Sequence, residues 1–154
     1  MDIGGNVRNE SVQQAGPLVP VCVAPEETAR IVFQMLRDLG RGAILICRQG
    51  VLVGIFTERD ALRALASEGD LSSPIERYMT PAPVTVRESD SVESAIRKMS
   101  SNGYRRLPIV DAEGRPTGVL DVSGIIHWLV AHFPRAIYNL PPVAKVGTQQ
   151  REGP

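Results

Sequence analysis

The chain has 154 residues, with 17 basic and 17 acidic side chains and a formal net charge of zero. That balance offers no general attraction to nucleic acid or to an anionic membrane surface. The length is enough to bury a core without metal or disulfide, and no apolar run is long enough to span a bilayer, so a cytoplasmic protein without membrane insertion is expected.

Residues 1–16 are rich in Gly, Asn, Gln and Ser and read as a flexible amino-terminal arm, with at most a helical turn near Glu10–Gln14. Pro17–Val23 is extended. Pro25 opens a helix, where its missing N–H is harmless, and Glu26 and Glu27 suit the first turn. The helix runs to about Leu39 and stops at Gly40. Ala43–Cys47 and Val51–Phe56 are apolar strands around the turn Arg48–Gln49–Gly50. Cys22 and Cys47 lie in apolar strand-like stretches and read as buried free thiols. A second helix follows from Thr57 to about Ser67. Glu68–Pro74 is turn-rich, and Ile75–Met79 suits a single helical turn.

The order then starts again. Val84–Val86 is a strand, and a helix over about Asp90–Ser101 opens with Asp90 and Glu93 at capping-box spacing. Strands follow at Arg106–Val110 and Thr117–Leu120, and a last helix runs from Asp121 to about His132. The apolar positions Ala29, Val32, Phe33 and Leu36 return as Val92, Ala95, Ile96 and Met99, each 63 residues later. Gly40 returns as Gly103 and Gly54 as Gly118. A repeat of this kind sets the architectural unit before any motif is considered. The expected fold is α+β, two tandem β-α-β-β-α units packed face to face through their sheets. Their expected bounds are 17–67 and 77–132, with a linker at 68–76 and an anchor and disordered tail at 133–154.

Catalytic signatures are missing from this sequence. It has no nucleophile elbow, phosphate-binding loop or dinucleotide fingerprint. His127 and His132, its two histidines, are five residues apart, which does not make a helical metal pair. An enzyme is not expected, nor a metal or a prosthetic group. Thr57-Glu58-Arg59-Asp60 reads as a helix cap, with Thr57 at the N-cap and Asp60 three residues on.

The repeated unit, its close in G-I-F-T-E-R-D (Gly54–Asp60), the run Y-M-T-P-A-P-V-T-V (Tyr78–Val86) and the strand R-R-L-P-I-V-D (Arg105–Asp111) together resemble the cystathionine β-synthase (CBS) domain. Two in tandem look like a Bateman module, and the resemblance covers about residues 17–132. It implies regulation through an adenosyl ligand held in a cleft between the units. It also implies that Thr57 and Asp60 grip the ribose, with Arg59 beside them. Thr80, Pro81, Pro83 and Val84 would line the adenine. Tyr104 would close over the ligand, Arg105 and Arg106 would face phosphates, and Pro108 would follow on the same strand. For the arginines, a solvated strand end or pairing with Asp111 or Asp121 stands as the alternative.

The mirror-image cleft departs from that pattern. Asp121 puts a negative charge where a phosphate would approach, Gly124 replaces the ribose carboxylate, and Arg41 is the one nearby cation. One competent site per chain is therefore expected. AMP, ADP or ATP suits two facing arginines better than S-adenosylmethionine or NAD, at micromolar affinity. The surplus apolar residues Ile125, Ile126, Trp128, Leu129 and Val130, with Ala61, Leu62, Leu65 and Ala66, point to a homodimer. Phe133, Ile137, Tyr138 and Leu140 read as an anchor docking on the same chain or its dimer mate, with a separate partner protein as the alternative, and an effector protein of unstated identity is implied. A ligand-independent adaptor, in which Thr57 and Asp60 only cap a helix, remains the alternative function.

Overall fold

The structure is a computed structural model and describes residues 9–132. In the first unit, β1 (Cys22–Val23) precedes α1 (Ala29–Leu39), β2 (Ala43–Arg48), β3 (Val51–Thr57) and α2 (Glu58–Ala66). A 3-10 turn at Ile75–Arg77 leads into β4 (Thr80–Pro81). The second unit holds β5 (Val86–Arg87), α3 (Val92–Asn102), β6 (Arg106–Val110), β7 (Pro116–Asp121) and α4 (Val122–His132). Sequence periodicity thus places the helices and the other strands in their order, with shifted ends, while β4 is an element it did not mark.

Two of those shifts have clear causes. The first helix begins at Ala29, not at Pro25, because the linker occupies the groups that would wind the earlier turn. Ile75 and Glu76 donate to the carbonyls of Glu27 and Pro25, and the N–H groups of Ala29 and Arg30 donate to Ser73 and Leu71. Backbone carbonyls from the linker therefore do the work of an N-cap side chain. In α3 the cap is Ser91, which accepts from the Ser94 N–H at 3.1 Å. Asp90 turns back to the Arg87 N–H at 2.9 Å, so the expected Asp90–Glu93 capping box does not form.

Each unit contributes a small sheet with its helices on one face. The first sheet runs β1-β2-β3-β4 and the second β5-β6-β7. Strand alternation sends Ile44 and Ile46 to the helices of the first unit, with Ala29, Val32 and Phe56. Leu107 and Ile109 do the same in the second, among Val92, Ala95 and Trp128. The opposite faces meet in a shared cluster of Ala43, Leu45, Ile55 and Val119, so the units pack through their sheets.

Strands also cross between units. Thr80 and Pro81, the opening of the second repeat, pair with Ile55 and Gly54 of the first unit. In the equivalent place Leu18 bridges Val119 of the second unit, with N–H to carbonyl bonds of 2.9 Å in both directions. The repeated glycine explains the fit. A Cβ on Gly54 would meet the Met79 side chain, and one on Gly118 would meet Pro17, so each bare Cα leaves room for the segment arriving from the other repeat.

Residues 9–16 correct the expected arm. A 3-10 turn, Val12–Ala15, buries Val12 and Ala15 in the second unit's core. The Val12 N–H donates to Asp90 and the Val92 N–H to Glu10, which ties the segment to the start of α3. The cysteines correct a second expectation: Cys22 is exposed and Cys47 half-buried. β1 is two residues long at the sheet edge and leaves Cys22 uncovered. The anchor residues Phe133, Ile137, Tyr138 and Leu140 lie outside the described residues.

Candidate ligand-binding site

Asp60 is the one charged side chain buried among the described residues, at 5% exposure. Three donors account for its burial. Oδ2 accepts from the Thr57 N–H at 2.9 Å and from the Thr57 hydroxyl at 3.0 Å, while Oδ1 accepts from the Thr80 hydroxyl at 2.8 Å. The Asp60 N–H in turn reaches Thr57 Oγ1 at 3.4 Å, closing a capping box at the amino end of α2. Arg63 lies 4.0 Å from Oδ1 and is largely exposed. The cap and the inter-repeat contact are thus one object: Asp60 holds its own helix start with one oxygen and the opening strand of the second repeat with the other. A carboxylate satisfied this way is fixed in direction and can exchange a hydroxyl for another without rearranging.

The wall beside it is the segment Thr80-Pro81-Ala82-Pro83-Val84. Thr80, Pro83 and Val84 are half-buried, and Pro81 and Ala82 are exposed. Ala82 takes the left-handed φ of 46° and donates its N–H to the Val53 carbonyl at 3.1 Å. Such a conformation is costly for alanine and persists where neighbouring residues impose it, here the flanking prolines and the β3–β4 pairing.

The two arginines part at the start of β6, with Arg105 just before the strand and Arg106 its first residue. Arg106 lies on the inter-unit face of β6, on the same side as Pro108, which is buried. Its Nε is 3.0 Å from Asp121 Oδ2, the residue opposite it on β7. The Nε atom is buried and its N–H is not directed at a partner, so the contact is an ion pair rather than an aligned hydrogen bond. The guanidinium lies against Gly42, where Glu58 Oε1 also approaches. Arg106 therefore reaches the amino end of α2 already engaged by acid, the pairing that the sequence left open. Arg105 and Tyr104 face the other way. They line an apolar cavity of about 480 Å³ between α3 and α4, with Ile96, Met99, Ile125 and Leu129. Arg59 is exposed on α2.

The mirror-image cleft is nearly closed. Leu18, Val19, Val21, Arg41, Ala43 and Val119 enclose about 10 Å³. Arg41 donates to the Val19 carbonyl at 3.2 Å. The Ala15 carbonyl packs over Gly124, 3.5 Å from where a Cβ would sit. A Cβ at 124 would stand in ordinary contact with that backbone, so the buried amino-terminal turn forms one wall at Gly124.

Among the described residues no cluster of three or more His, Cys, Asp or Glu could hold a metal, and no helix is long and apolar enough to cross a membrane. His132 Nδ1 lies 2.9 Å from the Trp128 carbonyl, one turn earlier in α4.

Two inter-unit junctions, each built from the strand-to-helix turn of one repeat and the opening segment of the other, define a tandem two-unit α+β fold. The CBS domain profile matches residues 18–67 and 75–131. The chain belongs to the CBS domain family, with two units in tandem. A CBS domain-containing protein of Bacillus subtilis is 37% identical over 90 residues, 58% of this chain and 64% of the relative. A 17.7 kDa protein of Acidianus ambivalens is 33% identical over 109 residues, 70% of this chain and 66% of the relative. The chain thus spans just under two thirds of the length of these relatives. Among solved structures, a CBS domain protein of Pyrobaculum aerophilum complexed with AMP superposes with a TM-score of 0.70 at 26% identity, covering 79% of this chain and 98% of that one. A CBS domain pair in complex with 5′-methylthioadenosine and S-adenosyl-L-methionine has a TM-score of 0.70 at 25% identity, covering 76% and 97%.

Proposed function

We propose that this chain is a regulatory module that binds one adenosyl ligand in the Thr57–Asp60 cleft and passes its occupancy to a partner protein. The observation that carries this reading is Asp60, a buried carboxylate whose Oδ1 is held by a hydroxyl from the other repeat. A ribose diol offers the same donors to the same oxygen. The helix start behind it offers N–H groups to whatever anion the ligand carries. The complexes of two structural relatives with AMP and with methylthioadenosine and S-adenosylmethionine support the ligand class. Gly124, standing in the mirror cleft where Asp60 stands in this one, supports one site per chain.

Exchange of the Thr80 hydroxyl for a ligand hydroxyl loosens β4 from α2. That is a direct route from occupancy to the seating of one unit on the other. An effector protein senses that change, and the module itself carries out no reaction. A second copy completes the apolar helix face, since Leu62, Leu65 and Ile126 are 68%, 56% and 54% exposed.

Calorimetric titration with adenosine, AMP, ADP, ATP and S-adenosylmethionine tests the reading, with Asp60→Ala beside the wild type. One saturating event per chain, lost in the variant, is the expected result. The variant also loses a cap, at a cost of about 1 kcal/mol. Heat from none of the ligands would move the function to a ligand-independent adaptor.

A further inference from the structure

We infer that this cleft takes adenosyl ligands of low negative charge in preference to di- and triphosphates, and that Asp121, a residue of the opposite cleft, sets this selectivity through Arg106. The inference deepens the adenosyl-ligand reading and rests on it. It starts from the charges around the amino end of α2. Glu58 and Asp60 stand in the first turn of that helix. The cation that reaches it from the second unit is Arg106, whose guanidinium shares the space over Gly42 with Glu58 Oε1. Its Nε is 3.0 Å from Asp121, and the two side chains are only 23% and 17% exposed.

Arg106 is therefore a guanidinium whose charge is already shared with an acid. Its terminal nitrogens can meet a ligand anion while Nε stays beside Asp121, so the anion meets a cation that Asp121 partly offsets. Because both side chains are largely buried, solvent screens that offset little. Each further phosphate then adds repulsion from Glu58 and Asp121 at short range with no further cation to meet it. Arg105, which would have supplied a second cation, lines the cavity between α3 and α4 instead. Arg59 is exposed, and Arg63 is 70% exposed, so solvent and salt screen what they add. In the first unit, Thr57 occupies the position equivalent to Asp121 and faces Ala43, where the second unit has Arg106. The acid and the base thus occur as a pair, and the repeat that lacks one lacks the other.

The test is a set of calorimetric titrations with adenosine, AMP and ATP at fixed ionic strength, on the wild type, Asp121→Asn, Asp121→Thr and Arg106→Gln. Wild type is expected to bind AMP about tenfold or more tighter than ATP. Either Asp121 variant should narrow that gap, ATP gaining about tenfold while adenosine stays within a factor of two. Arg106→Gln should bring AMP and ATP down toward each other without loss of adenosine. Thermal melting of each variant identifies one that fails to fold, and two substitutions at Asp121 guard against that outcome. Equal affinity for AMP and ATP in the wild type would overturn the inference, as would an equal gain for adenosine in the Asp121 variants. In both those cases adenosine still binds and the adenosyl reading survives. If none of the three ligands binds any form, the reading and the inference fall together.

Discussion

At the scale of single residues, Gly42 and Arg106 depend on each other. Gly42 has the left-handed φ of 72°, and Arg106 lies where a Cβ would project. Gly42→Ala is expected to cost about 1–2 kcal/mol from the backbone alone, and more from displacing the guanidinium. In an Arg106→Ala background the backbone share should remain, with whatever the flexible Glu58 side chain adds, so a double-mutant cycle by chemical denaturation reads the Arg106 coupling. Identical costs in both backgrounds would show that Arg106 does not occupy that space. Cys47 gives a prediction in pH. Burial, first, and the neighbouring Cys22 push its thiol up from 9.0 to about 12. The folded protein holds this proton more tightly than the unfolded chain does, so its contribution is intact below about pH 9 and lost as pH rises toward 12. Denaturation midpoints between pH 8 and 10 should fall less steeply in Cys47→Ala than in the wild type. At neutral pH the exposed Cys22 should be alkylated before Cys47, which peptide mapping can follow.

At the scale of elements, the short amino-terminal turn is part of the second unit. Val12 is fully buried against α3 and α4, although 75 or more residues separate it from either helix. Val12→Ala should cost about 2 kcal/mol, measured by thermal or denaturant unfolding. A negligible cost would mean that the turn is not docked in solution. The sequence offered a helical turn near Glu10–Gln14 but not its docking, because a turn of four residues with two apolar side chains has no period to mark a buried face. The long helices had that period, and Gly40 and Gly103 close α1 and α3 in the left-handed conformation, as their matching positions in the repeat imply. Caps were less legible. Linker carbonyls start α1, and Ser91 rather than Asp90 starts α3, because several candidate oxygens lie within one residue of each other and only the chain path selects among them.

At the scale of the whole molecule, two half-sized units share one interface, and their helix faces are left with apolar residues to spare. Leu62 and Ile126 are exposed, and the cavity between α3 and α4 is lined by Ile125, Ile126 and Leu129. Sedimentation velocity on the full chain should show a dimer. Leu62→Glu or Ile126→Glu should convert it to monomer with little change in melting temperature, since neither side chain packs in the core. A wild-type monomer at micromolar concentration would remove the second copy from the account. The repeat, the apolar periods and the Thr57–Asp60 spacing by themselves determined the two-unit architecture and the helix start on which the candidate site is built, because those features are local in the chain. Only the tertiary structure decided that Thr80 meets Asp60, that Arg106 is held by Asp121 while Arg105 faces away, and that the Ala15 backbone closes over Gly124. Each of these depends on which strand face meets which neighbour across the repeat, and no local pattern in the chain carries that information.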